Sequence, residues 1–136
     1  MCKTQYILVI LKFKYLEMNI EEFRDYCLSK KYVTESFPFD EKTLVFKVVG
    51  KMFALSGLEH QPSTVNLKCD PERAIELRDE YSEIIEGFHM SKVHWNTVKI
   101  EGNLPNNLLK ELIDHSYDLV VKGLTKKLQK ELGFES

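Results

Sequence analysis

A chain of 136 residues that is 43% hydrophobic and 29% charged is long enough for one domain around one core, and it excludes disordered and fibrous architectures. The formal net charge of −2 counts against a module held to nucleic acid by bulk positive charge. The charge is polarised, however. Residues 72–86 carry six acids and two bases, residues 122–131 carry four lysines against one glutamate, and residues 42–51 carry Lys42, Lys47 and Lys51 without an acid. Such polarity permits a basic surface on a mildly acidic protein.

In chain order, Tyr6–Leu11 is an apolar run of six residues, too short to span a bilayer. The following residues 13–17 offer no small-residue cleavage site, so no signal peptide is expected and the chain reads as cytoplasmic. Residues 1–17 form an N-terminal extension. An added strand, an oligomer contact and a start at Met18 all remain open for it, and the oligomeric state is not legible. Cys2, Cys27 and Cys69 are widely spaced with no CxxC pair, which fits structural thiols in a reducing compartment.

Asn19 followed by Glu22 is a capping box, and Ile20, Phe23 and Cys27 at helical spacing predict a helix over 20–30, ending at the cations Lys30 and Lys31. Thr43–Val49 alternates, a tight turn is expected at Gly50-Lys51, and Lys51–Ser56 alternates again, together a β-hairpin. Ser63–Lys68 reads as a strand with Val65 and Leu67 inward, Asn66 and Lys68 outward. Asp70-Pro71 starts a second helix, with Ala74, Leu77 and Tyr81 on its inner stripe and an end before Gly87. Extended segments follow over 84–89 and 95–101. A last helix begins near Pro105 and turns Leu109, Leu112, Ile113, Ser116 and Val120 inward; Gly123 ends or kinks it. Residues 125–136 form a basic, helical tail. The order α-β-β-β-α-β-β-α predicts an α+β, two-layer sandwich over 18–124: a mostly antiparallel sheet of about five strands with helices on one face.

Chemistry-bearing patterns are sparse. His89 and His94 are five apart, with His60 and His115 elsewhere, whereas a helical zinc pair needs a spacing of four with an acid between. No metal or cofactor is expected. Cys69 precedes a helix start, where the dipole lowers a thiol pKa, but its parity with Val65 and Leu67 buries it. No Ser/His/Asp order, GxSxG elbow or glycine-rich phosphate loop occurs, so no enzyme is expected. What remains is a surface. Strand parity places Lys47, Lys68 and Lys99 outward with Asn66, Thr97 and Trp95, the arrangement in which ammonium groups meet phosphates and a ring stacks on bases. Packing of Trp95 under a loop is the competing reading.

Five segments carry a resemblance: Glu35-Ser-Phe-Pro-Phe-Asp40, Phe46-Lys-Val-Val-Gly-Lys-Met-Phe-Ala54, Asn66-Leu-Lys-Cys-Asp-Pro-Glu72, Gly87-Phe-His-Met-Ser-Lys-Val-His-Trp-Asn-Thr-Val98 and Ser116-Tyr-Asp-Leu-Val120. In order and spacing, over about 18–124, the chain resembles the MmcQ/YjbR family of small bacterial proteins, although that pattern often has Gly where Asp40 stands. The resemblance implies a CyaY-like fold and a DNA-binding role with β-hairpins as wings. Its matching positions are Lys47, Lys51, Lys68, His89, Lys92, His94, Trp95 and Asn96, to which the parity argument adds Lys99. Gly50 and Gly87 are then turn requirements, and Phe46, Phe53 and Tyr117 core. The alternative is a protein-interaction or small-ligand domain using the open sheet face or the groove around 87–96.

Overall fold

The computed structural model describes residues 18–59 and 63–134. The apolar run 6–11 and His60 therefore lie outside the described residues. Asn19 Oδ1 accepts the Glu22 N–H at 2.8 Å and opens α1 (Ile20–Leu28), which buries Phe23 and Cys27. The helix stops two residues short of the expected end, and Tyr32, at φ 62, turns the chain into an unexpected strand, β1 (Val33–Ser36).

The hairpin is β2 (Thr43–Val48) and β3 (Lys51–Gly57), with Val48 opposite Lys51. Its turn is Val49-Gly50, one residue earlier than expected, with φ 48 and 78. Positive φ at both positions is the geometry whose twist matches a two-residue hairpin. A bulge interrupts the pair: Phe46 faces Ala54 but Lys47 faces Met52, leaving Phe53 extra. Phe53 and Ala54 thus both join the main core, while Met52 and Leu55 belong to the other face.

β4 (Thr64–Lys68) leads to α2 (Pro71–Glu80), where the Asp70 carboxylate accepts the Arg73 N–H at 3.2 Å and Pro71 occupies the first turn. Then come β5 (Ile84–Glu86), β6 (Trp95–Lys99), α3 (Asn106–Lys122) and α4 (Lys126–Leu132). Among the described residues six strands lie in the order β1-β2-β3-β4-β6-β5, every neighbouring pair antiparallel. The α+β architecture is the expected one; β1 makes the sheet six strands rather than about five.

Phe23 and Cys27 of α1, Ala74 and Leu77 of α2, and Leu109, Leu112, Ile113 and Tyr117 of α3 pack on Phe46, Val48, Phe53, Ala54, Val65, Leu67 and Val98. Phe23 meets Phe46 edge-on at 5.7 Å, and Phe53 meets Tyr117 at 5.4 Å. Burying each of these large side chains contributes about 1.5–3 kcal/mol. Ser116 fastens α3 to the sheet, its hydroxyl donating to the Phe53 carbonyl and accepting the Lys68 N–H. The helices thus cover one face and leave the other open. Among the described residues no helix is long and apolar enough to cross a membrane.

Candidate functional site

Register assigns the open face. Lys47 stands opposite Met52, and Lys68 opposite Trp95. Val45, Leu55, Asn66, Thr97 and Ile85 form a cross-strand row, and Thr64 pairs with Lys99. The structure therefore brings Lys47, Lys68 and Lys99 to one face with Asn66, Thr97 and Trp95. Among the described residues none of these three lysines forms an ion pair. Their stems are partly covered, which suits a lysine lying along a sheet with its ammonium toward water.

Trp95 is on this face but not open for stacking. Only 8% of it is exposed, and it packs with Val45, Leu55, Met52 and Met90. The segment 87–94 closes over it. The Gly87 N–H donates to the Trp95 carbonyl at 2.9 Å, and the Trp95 N–H donates to the Ser91 carbonyl at 3.0 Å. A Cβ on Gly87 would stand 2.8 Å from the Trp95 Cβ, so glycine is required there for close approach. Of the two readings of Trp95, packing under a loop is the one observed.

Asn96 must be removed from the face. It continues the helix-side row Phe46–Ala54–Leu67–Asn96, because neighbours along a strand point to opposite sides. It is 2% exposed, its Oδ1 accepts from Arg78 Nε at 2.9 Å, and it ties β6 to α2. Lys51 also leaves the face by register, since it pairs with Val48 of the helix-side core. Lys51 is exposed beside the hairpin turn, and His89, Lys92 and His94 are exposed on the loop. His89 sits at φ 60 with its ring 4.0 Å from that of Phe88. Among the described residues no group of three or more His, Cys, Asp or Glu is placed to hold a metal ion. Cys69 is buried, and burial pushes its thiol up to about 11, so it is not a thiolate at neutral pH.

Sequence reasoning placed a groove around 87–96 but missed its opposite wall, Phe39 and Asp40. A cleft of about 560 Å³ lies on the open face, lined by Phe39 and Asp40 from one loop, Phe88 and Met90 from another, and Leu55, Asn66 and Thr97 from the sheet. Phe39 and Phe88 are 65% and 55% exposed, unusual for rings with no partner in the core. The available signal was their setting, Pro38-Phe39-Asp40 and Gly87-Phe88-His89, where turn residues hold a phenyl group away from the core. Both walls are fixed. Asp40 Oδ1 accepts the N–H groups of Lys42 (2.8 Å) and Thr43 (2.7 Å), and these bonds, that from Lys42 foremost, hold the carboxyl below its usual range. Asp40 thus closes the turn ahead of β2 by side-chain bonds. On the other wall, the Phe88 N–H donates to Thr97 Oγ1 at 2.9 Å, the Thr97 hydroxyl donates to Asn66 Oδ1 at 2.5 Å, and Arg78 Nη2 donates to the Lys92 carbonyl at 2.8 Å.

A second cleft, about 490 Å³, lies at the β1 edge between Ile20, Phe37, Leu44 and Leu58, beside the bidentate Arg24–Glu35 pair. It contains none of the expected site residues.

Comparison with known proteins shows the family and the fold. The YjbR family model matches residues 28–119. The YjbR protein of Escherichia coli (strain K12) is 35% identical over 116 residues, covering 85% of this chain and 98% of its own length. The YbdF protein of Escherichia coli O157:H7 is 37% identical over 105 residues, covering 77% and 86%. Among solved structures, Deinococcus radiodurans protein DR2400, with a DUF419 domain, superposes with a TM-score of 0.81 at 43% identity over 86% of this chain and 89% of that one. A Pseudomonas syringae protein superposes at 0.66 with 28% identity, covering 75% of this chain and 98% of that one.

Proposed function

The chain belongs to the YjbR family, and from that premise we propose that it is a non-catalytic DNA-binding domain that meets single-stranded DNA with the open face of its sheet. The observation that carries the proposal is the placement of Lys47, Lys68 and Lys99 on the same uncovered face as exposed Phe88 and Phe39. Ammonium groups neutralise phosphates, and an exposed ring stacks on an unpaired base for about 1–3 kcal/mol. A single strand is favoured over a duplex because stacked, paired bases do not offer their faces to a groove between two loops. The acids Glu72, Glu76, Asp79 and Glu80 belong to α2, in the layer on the other side of the sheet. These acids therefore stand away from the face that carries Lys47, Lys68 and Lys99. Free, buried Cys27 and Cys69 fit the reducing cytoplasm that this role requires.

The test is fluorescence anisotropy of labelled single-stranded and duplex DNA across a salt series. Binding should weaken steeply with salt. Replacing Lys47, Lys68 and Lys99 by Gln should reduce the slope of log K against log salt by about 0.7 for each phosphate that is no longer neutralised. Absence of any binding at low salt would refute the proposal. A second reading, a small apolar ligand, is favoured by Phe39, Leu55, Ile85, Phe88 and Met90 in the groove lining, which includes no lysine. It requires ligand binding that is insensitive to salt and to the three Gln substitutions.

A further inference from the structure

Resting on that proposal, we infer that the open-face groove holds one unpaired base of the strand, flanked by Phe88 and Phe39 and read by the amide of Asn66, with thymine preferred over adenine. Charge decides which part of the nucleotide enters. The groove lining contains the Asp40 carboxylate and the His89 imidazole but no lysine, whereas Lys47, Lys68 and Lys99 stand on the face outside the lining. A carboxylate repels phosphate but tolerates a neutral base, so the base goes in and the backbone stays among the lysines. The volume of about 560 Å³ falls within the usual range of ligand clefts, about 300–1,000 Å³.

The polar groups are oriented in advance. The Phe88 backbone N–H can only donate, so Thr97 Oγ1 accepts it and turns its own proton to Asn66. That places the amide oxygen of Asn66 toward Thr97 and leaves Nδ2 as the free edge. One N–H of Nδ2 reaches the Phe88 carbonyl over a long 3.4 Å, and the other is available. The groove therefore presents a fixed donor. Asp40 adds an acceptor, since among the described residues its Oδ2 is engaged only by the Thr43 hydroxyl at 3.3 Å. Thymine offers a carbonyl to the donor, an imino N–H to the acceptor and a methyl group to Leu55 and Met90. Adenine reverses the two roles, with an amino group in place of that carbonyl and an acceptor nitrogen in place of the imino N–H, so it must turn its edge over to meet both groups and then has no methyl group for Leu55 and Met90.

The experiment compares oligothymidylate, oligoadenylate and an abasic oligomer of equal length at one low salt concentration, with native protein and the Phe88→Ala and Asn66→Ala variants. Native protein should bind oligothymidylate at least about fivefold more tightly than the abasic strand, the lower end of one stacked base. Phe88→Ala should bring the two together without changing the salt slope, and Asn66→Ala should erase the thymidylate-over-adenylate preference. Phe88 is more than half exposed, so its loss should leave folding intact, and unchanged Trp95 emission would verify this. Equal, salt-dependent binding of all three strands would overturn the base site and leave the lysine face standing. No binding of any strand would overturn both.

Discussion

Replacing Gly87 by alanine tests whether the 87–94 loop is pinned to the sheet by backbone contact. The added Cβ would lie 2.8 Å from the Trp95 Cβ, 2.9 Å from the Trp95 carbonyl oxygen and 3.2 Å from the Met90 Cβ. The two shortest contacts are to the backbone or to an atom fixed by it, so no side-chain rotation relieves them. The loop must lift, stretching the Gly87 N–H bond to the Trp95 carbonyl. Overpacking of this kind costs about 1–3 kcal/mol. For a domain of this size, about 2 kcal/mol lowers Tm by roughly 4–8 °C. The sole tryptophan makes the assay direct: urea unfolding followed by Trp95 emission, with acrylamide quenching of the native state. The midpoint should fall and quenching should rise. Gly102→Ala is the control, since the nearest atoms to its added Cβ are at 3.7 Å, ordinary contact. A Gly87→Ala protein with the midpoint and quenching of the native chain would refute the reasoning.

Two further outcomes follow from polar contacts on the helical side. Arg78→Ala removes the donor to buried Asn96 Oδ1 and to the Lys92 carbonyl, and should destabilise the domain by about 2 kcal/mol in denaturant titrations. If the orphaned oxygen causes that loss, Arg78→Ala combined with Asn96→Leu should cost less than the sum of the two single changes. His115 Nε2 accepts the Asp70 N–H at 3.1 Å, and burial, with Arg73 adding to it, holds the imidazole below its usual 6.5. The unfolded chain therefore takes up the proton first. Stability should be constant through His115 above pH 6.5 and should fall as pH drops from there through the folded value. His115→Gln should flatten that part of the stability profile relative to native protein.

Much of the fold was legible because its signals are local. Asn19 with Glu22, Asp70-Pro71 and the parity of Val65 and Leu67 each depend on a few adjacent residues, and each appears as expected. β1 was not legible: its burial alternates only between half-buried and exposed, and β2 supplies its register. The Phe53 bulge was hidden in an apolar run, where a change of face leaves no mark on composition. At the site, parity correctly grouped Lys47, Lys68, Lys99 and Trp95, but covering the indole depends on a chain segment that only Gly87 allows so close. Asn96 shows the opposite case. Parity alone places it on the helix side, and it entered the site set through the resemblance rather than through its strand position.

Arg78 is rooted in α2, yet its guanidinium ends on the carbonyl of Lys92, in the loop that forms a wall of the groove. One wall of the open side is therefore anchored to the helical layer. A substitution at Arg78 would move that wall without altering any residue that lines the groove.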